Sequence, residues 1–195
     1  STGVFAAVGV LAALFERERS GRGQVVNASL METMLTLLSY QAQKVLSLGE
    51  LSGQDGNDHP LMSPQGTFKA RQGMLTLASG NERMWASLCG VLGLEAHVAD
   101  PRFADNAGRM ANRDELRRLI EQALAARSAE EWIPLINAAG IPCSPVLDVG
   151  QALGHPFTAA LKMVEHVEHS SLGDLKVLGQ AVKGEPLTVY GDGRQ

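Results

Sequence analysis

The spacing of apolar and polar residues predicts two helices at the start of the chain. A first run of apolar residues with helical spacing covers about residues 3–18, and Gly21 interrupts it. Ser29 and Glu32 have the spacing of a capping box, which places the start of a second helix there. Its apolar positions continue until a glycine, so we expect one uninterrupted helix over about residues 29–48.

Between residues 50 and 66 this periodicity disappears, and Gly, Asn, Asp, His and Pro dominate. A stretch of this length without regular structure is usually a functional loop or a linker. Two interpretations of His59 stay open: it acts on a substrate as an acid, base or hydrogen-bond donor, or it only fixes a turn. Asn57 likewise either binds a substrate or favours a turn.

A small α+β domain is predicted over residues 66–140. Alternating apolar residues on either side of Arg71-Gln72-Gly73 predict a β-hairpin. Three amphipathic helices follow, with predicted N-caps at Asn81, Asn112 and Ser128, and the last two of these caps have the capping-box spacing.

After residue 140 the sequence predicts an extended stretch, a short helix and two strands. Residues 141–146 are predicted to be extended, because each of the two prolines there disfavours helix in the residue before it. A short helix is expected near residues 148–153, and two strands over residues 163–169 and 175–178.

Composition narrows the class of protein. Of 195 residues, 45% are apolar and 19% are charged, and 17 basic against 21 acidic residues give a net charge of −4. These values fit a globular chain and exclude general disorder. No basic stripe indicates a nucleic-acid partner, and the longest apolar run is too short to cross a membrane.

Cysteine and histidine usage indicates neither disulfides nor a metal site. Cys89 and Cys143 are far apart in the sequence, which fits a reducing cytoplasm. Cys143 is interpreted as a small buried residue, with a nucleophile as the alternative. Of the five histidines only His166 and His169 are close in sequence, so we predict no metal.

Several motifs occur in one order along residues 1–180, and together they resemble the family III CoA-transferases. This group includes the formyl-CoA and carnitine-CoA transferases and the α-methylacyl-CoA racemases. The matching residues are Ser1-Thr2-Gly3, Ala12 to Arg17, Ser20 to Gln24, Ser29 to Glu32, Gly56 to Pro60 with Pro64, Gly80-Asn81 with Trp85, Asp100 to Phe103, Arg109 with Asn112-Arg113, Trp132, and Ala139 to Cys143 with Pro145-Val146.

The resemblance implies an α/β fold: part of a large CoA-transferase domain plus the small α+β domain of a hairpin and about three helices. Two chains of the family interlock as rings in a homodimer. The implied division is large-domain helices over 1–48, a linker with the active-site loop over 49–65, the small domain over 66–140, and a return linker with large-domain strands over 141–195.

The family's transferases use a nucleophilic Asp, which forms an aspartyl anhydride and then an aspartyl-CoA thioester. The resemblance places this Asp just upstream of Ser1. We therefore expect a fragment of a longer cytoplasmic enzyme that is inactive by itself, with acyl-CoA and an acceptor carboxylic acid as substrates and no permanent cofactor. The implied substrate-side and CoA-side residues are Leu30, Gly56, Asn57, His59 and Pro60.

Two alternatives stay open. In a racemase, Glu82 is a catalytic acid or base, whereas in a transferase it is a first-turn carboxylate favoured by the helix dipole. In a non-catalytic oligomerisation or binding fragment, residues 1–48 and 150–195 would expose apolar surface and drive self-association.

Overall fold

A computed structural model describes residues 1–51 and 53–183. The chain separates into two compact units, Ser1–Pro60 and Leu61–Gln195. The last residues of the predicted 141–195 segment lie outside the described part.

The first unit contains three helices, α1 (Thr2–Ser20), α2 (Leu30–Leu37) and α3 (Tyr40–Leu48). The first helix is confirmed, but the single helix expected over 29–48 is wrong, because it breaks after Leu37. The Thr36 hydroxyl donates back to the Glu32 carbonyl at 2.9 Å, and the Ser39 N–H bonds only three residues back, to Thr36. These bonds tighten the last turn and end α2.

Almost nothing is buried within this first unit. Thr33 is its one buried residue among those described, and α1 has none. The small residues of α1 do allow a close approach, since a Cβ at Gly9 would lie 2.8 Å from Cγ1 of Val26. The large apolar side chains of the three helices remain exposed.

The second unit contains a three-stranded antiparallel sheet in the order β1 (Gln65–Lys69), β2 (Met74–Ala78) and β3 (Cys143–Pro145). The predicted hairpin is confirmed, with Thr67 opposite Thr76. The extended stretch predicted over 141–146 is also present, but its pairing with β2, Leu77 opposite Cys143, had no signal in the sequence.

The described part of the second unit also contains α-helices, four between β2 and β3 and two after β3. They are α4 (Glu82–Leu92), α5 (Asn106–Ala111), α6 (Arg113–Leu124), α7 (Ala129–Ala138), α8 (Val149–Gly154) and α9 (Pro156–Ala160). The capping box of Ser128 with Glu131 forms as predicted. The box expected at Asn112 is wrong: Asn112 ends α5, and its amide donates to the carbonyls of Gly108 and Arg102 instead.

A single core lies between the sheet and helices α4, α6 and α7. Apart from Pro64, every buried apolar residue of the described chain falls between Phe68 and Ile141. The largest are Trp85, Phe103, Leu75, Leu88, Leu116, Ile120, Leu124, Ile136 and Ile141. The region predicted as a small domain therefore contains its own core.

A second antiparallel sheet pairs β4 (Val164–His169) with β5 (Gly173–Leu178), as the sequence predicts. The chain is thus mixed α and β, and both sheets in the described part are antiparallel. None of the helices described there has the length and apolarity to cross a bilayer.

Candidate active-site loop

The loop of residues 56–60, which is predicted to be the active-site loop and is called by that name below, forms a tight turn. Gly56 has φ +60°, a left-handed conformation that favours glycine. The Asp58 N–H donates to the Asp55 carbonyl at 3.0 Å and closes the turn. Gly56 and Asn57 are exposed at its tip, whereas His59 and Pro60 are half-buried.

His59 stacks on Tyr40, the first residue of α3. The two ring centroids are 5.7 Å apart, and the ring planes differ by 20°. Tyr40 follows Ser39, which has φ 49° and ψ −121° and so lies in the region that favours glycine. The break between α2 and α3 therefore places an aromatic ring against the loop histidine.

Leu30 is the remaining predicted site residue, and it lies apart from the loop in the chain, as the first residue of α2. Its side chain is 74% exposed. Ser29 caps the helix, because its hydroxyl accepts from the Glu32 N–H at 3.2 Å and donates to the Glu32 carboxylate at 2.6 Å. The four loop residues thus share one turn, while Leu30 begins a separate helix.

The chain that leaves the loop is fixed to α5. Asn106, the first residue of that helix, accepts from the Ser63 N–H at 3.1 Å and donates to the Leu61 carbonyl at 2.9 Å. Arg109 donates from Nε to the Ser63 carbonyl at 2.7 Å. Two side chains of one helix therefore hold the backbone that follows the loop.

Arg109 is a buried charge with a full set of partners. It is only 1% exposed, and besides Ser63 it donates to the Phe103 carbonyl at 3.0 Å and to Oε1 of Glu82 at 3.1 Å. Its guanidinium carbon lies 5.8 Å from the ring centre of Trp85. A buried charge needs this degree of pairing and hydrogen bonding to be tolerated.

The same ion pair determines the state of Glu82. The hydrogen bond from Arg109, with help from the helix's own backbone, lowers the pKa of the Glu82 carboxyl. The Glu82 side chain is 60% exposed, so water surrounds the rest of the carboxylate. Glu82 is therefore an ionised, hydrogen-bonded partner of Arg109, which makes it a poor proton donor near neutral pH.

A family model described as CoA-transferase family III matches residues 1–191. The chain belongs to this family. The resemblance found in the sequence is thereby confirmed.

Curated CoA-transferases are similar to the chain over nearly its whole length. An acyl-CoA transferase of Fusarium pseudograminearum is 40% identical, and the match covers 94% of this chain and 41% of that protein. An acetyl-CoA:oxalate CoA-transferase of Acetobacter aceti is 34% identical over 97% of this chain and 46% of the relative. The chain therefore spans less than half the length of these two relatives.

Solved structures give the same picture. The crystal structure of Rv3272 from Mycobacterium tuberculosis superimposes with a TM-score of 0.78 at 26% identity, covering 91% of this chain and 46% of that one. A CAIB/BAIF family protein from Brucella suis gives a TM-score of 0.73 at 26% identity, covering 95% and 48%. The mixed arrangement of helices and small antiparallel sheets is thus that of known family members.

Neither thiol of this CoA-transferase family member has the properties of a nucleophile. Burial raises the pKa of Cys143 to about 11 and that of Cys89 to about 12. Both thiols are protonated near neutral pH. This supports the interpretation of Cys143 as a packed small residue.

The two histidines that are close in sequence have separate partners. Nδ1 of His166 lies 2.7 Å from the Asp174 carboxylate, and Nδ1 of His169 accepts from the Ser171 N–H in the turn that follows it.

The sequence did not predict the contacts of Tyr40 with the loop or of Arg109 with the chain that follows it. Arg109 was part of the family motif, but its burial had no signal, because arginine is seldom buried and α5 itself was not predicted. The sequence predicted one continuous helix through Tyr40. It therefore gave no sign that a new helix begins at Tyr40, or that the tyrosine ring contacts His59. Both contacts join residues that are distant in the chain, and periodicity does not report such pairs.

Proposed function

We propose that the whole protein is an acyl-CoA:carboxylate CoA-transferase. The support comes from its family and from relatives named as acyl-CoA and acetyl-CoA:oxalate transferases. Other relatives are named for succinyl-CoA with glutarate or mesaconate. Oxalate, glutarate and mesaconate are all short dicarboxylic acids, and we propose an acceptor of that class.

The proposed reaction transfers CoA through two covalent intermediates on one aspartate. A nucleophilic Asp upstream of Ser1 attacks the thioester carbonyl, so that CoA thiolate leaves and an acyl-aspartyl anhydride forms. The thiolate then attacks the aspartyl carbonyl, which releases the donor acid and leaves an aspartyl-CoA thioester. The acceptor carboxylate repeats both steps in reverse and departs as its CoA thioester. Covalent intermediates divide one difficult transfer into steps with lower activation barriers.

The observation that carries transferase over racemase is the Glu82–Arg109 pair. Exchange of an α-proton is most efficient with an acid or base whose pKa lies near the operating pH. Hydrogen bonding to Arg109 stabilises the ionised form of Glu82 and lowers its pKa. Glu82 is therefore assigned a structural part, as the partner of a buried arginine.

The active-site loop is proposed to shield the reactive anhydride from water. Its tip of Gly56 and Asn57 is exposed and available to substrate, and His59 and Pro60 form its half-buried side. Leu30 contributes an exposed apolar contact from α2. Exclusion of water matters here because an anhydride is readily hydrolysed.

Two copies of the whole protein are proposed to act as a dimer.

Trapping of the intermediate tests this proposal. The whole protein is incubated with acetyl-CoA or succinyl-CoA, then treated with hydroxylamine and digested for mass spectrometry. We expect a hydroxamate on an Asp just upstream of Ser1, and transfer of CoA to oxalate, succinate or glutarate. The variant Glu82→Gln serves as the control and should retain the adduct. Uptake of α-deuterium from heavy water without any adduct would support the racemase instead.

A further inference from the structure

We propose that Tyr40 is a positioning residue for the active-site loop, a role that rests on the CoA-transferase function proposed above. Its ring holds His59 in place, and through His59 it fixes the turn of residues 56–60. Tyr40 itself contacts no reacting atom in this proposal. It acts through the histidine.

The stack has the geometry of a stabilising ring pair. Its centroid separation of 5.7 Å and interplanar angle of 20° fall within the range of offset-stacked aromatic rings. His59 is half-buried, while Gly56 and Asn57 two to three residues earlier are exposed. The loop is therefore held by a helix on its His59 side and open to solvent at its tip.

The backbone that presents Tyr40 is itself unusual. Ser39 has φ 49° and ψ −121°, a conformation that non-glycine residues rarely adopt. Such conformations persist only where the surrounding structure requires them, and they concentrate at functional sites. Here the unusual residue directly precedes the ring that contacts the loop, so the break in the helix and the stack are parts of one arrangement.

A ring stack suits a loop that must close and open. A loop that covers a reactive intermediate has to occupy one position during the reaction and release its product afterwards. Stacking orients the imidazole without burying a charge. The contribution of one aromatic pair is small enough for the loop to be released in each cycle.

Histidine NMR tests the stack directly. The whole protein is labelled with ¹³C-histidine, and the ring Hε1 resonance of His59 is assigned by its loss in His59→Gln. We expect Tyr40→Leu to move this resonance, because the ring current of the tyrosine is lost, and Tyr40→Phe to keep it near its wild-type position. Leu46→Ala, an exposed change on the same helix, is the control and should leave it in place. An unchanged resonance in Tyr40→Leu would overturn the proposal.

Steady-state kinetics test the positioning role. We expect Tyr40→Leu to lower kcat/KM by about 2- to 10-fold, which corresponds to the loss of one aromatic pair, and Tyr40→Phe to restore most of it. Equal losses in both variants would show that the ring is not what matters and would overturn the role. If the wild-type protein transfers no CoA, the proposed function fails and the catalytic role of Tyr40 with it, while the NMR shift still decides whether the stack exists.

Discussion

Arg109 joins three segments that are far apart in the sequence: Ser63 beyond the active-site loop, Phe103 in the turn after α4, and Glu82 at the start of that helix. Two of its partners are backbone carbonyls, those of Ser63 and Phe103. Arg109 therefore stabilises the fold by donating hydrogen bonds to buried carbonyls as much as by its charge.

Substitution of Arg109 should therefore destabilise the second unit. We expect Arg109→Met to lower the free energy of unfolding by about 3 kcal/mol, because two carbonyls lose a donor at roughly 1–3 kcal/mol each. Urea unfolding followed by tryptophan fluorescence measures the change. Arg83→Met, at an exposed position in the first turn of α4, is the matched control and should change stability by less than about 0.5 kcal/mol. Equal effects of the two changes would contradict the role given to Arg109.

The Glu82 carboxyl should make stability depend on pH. Its pKa is lower in the folded chain than its ordinary value of 4.5, so its contribution to stability is complete above about pH 4.5 and disappears as the pH falls through the folded value. Glu82→Gln should therefore be less stable than the wild type at pH 7, with a difference that shrinks below pH 4.5.

Thermal unfolding at a series of pH values measures this difference for Glu82→Gln. Glu130→Gln removes an exposed charge from the first turn of α7 and controls for the change in net charge. A difference between Glu82→Gln and the wild type that stays constant down to pH 3 would contradict the assigned pKa shift.

At the scale of the elements, the break between α2 and α3 stores backbone strain at Ser39. Glycine adopts this conformation without a Cβ clash, whereas a non-glycine residue there costs about 1–3 kcal/mol. Ser39→Gly should raise the stability of the first unit by about 1 kcal/mol, after allowance for the greater freedom of glycine in the unfolded chain.

Circular dichroism during thermal unfolding measures the effect of Ser39→Gly. The matched control is Ser39→Ala, which keeps the Cβ and should give no such gain. A lower melting temperature for Ser39→Gly than for Ser39→Ala would show that the break is not strained in solution.

The sequence predicts those elements whose signals are local. Gly49 and Gly93 end their helices in the left-handed conformation, and Ser128 with Glu131 starts α7, because each signal lies within a few residues of its effect. The failures involve contacts outside such local signals. The Asn112 amide donates to the Arg102 carbonyl ten residues earlier, as well as to the nearby Gly108 carbonyl, and so does not cap α6. Strand β3 pairs with β2, which lies more than sixty residues earlier in the chain.

The site shows the same division. The turn of the active-site loop follows from Gly56 and its neighbours, and it was found from the sequence. The stack of Tyr40 on His59 and the buried Arg109–Glu82 pair were not, because such contacts are formed only when the chain has folded. Family membership identified the motifs, but it gave these two side chains no role.

At the scale of the whole molecule, the two units differ in how they hide apolar surface. The second unit has a complete core, whereas the helices of the first expose large apolar side chains along their length. Contiguous exposed apolar surface of this kind marks an interaction surface. Exposed apolar surface over residues 1–48 is also what the alternative of an oligomerisation or binding fragment predicts, together with residues 150–195.

The isolated 195-residue chain should therefore self-associate. We expect it to elute in gel filtration at a mass well above its monomer mass of 20.7 kDa. Val8→Lys with Leu11→Lys, two exposed positions on one side of α1, should move elution toward the monomer because the apolar face is interrupted. Leu172→Lys, in the exposed turn of the second sheet, is the control. A monomeric wild-type chain would contradict both this prediction and the proposed dimer.

The order of the three-stranded sheet has a consequence for how this architecture can be taken apart. The chain enters the small core through β1 and leaves it through β3, and these two strands lie on either side of β2. The two strands on either side of a central strand are about 10 Å apart, and the register places Gln65 opposite Ala78 but Pro145 opposite Leu75. The entry and exit points are therefore also offset by about 10 Å along the sheet, and roughly five extended residues can bridge the resulting diagonal. The segment from β1 to β3 thus has the layout of a cassette, which can be cut out and closed with a short linker, or exchanged between relatives.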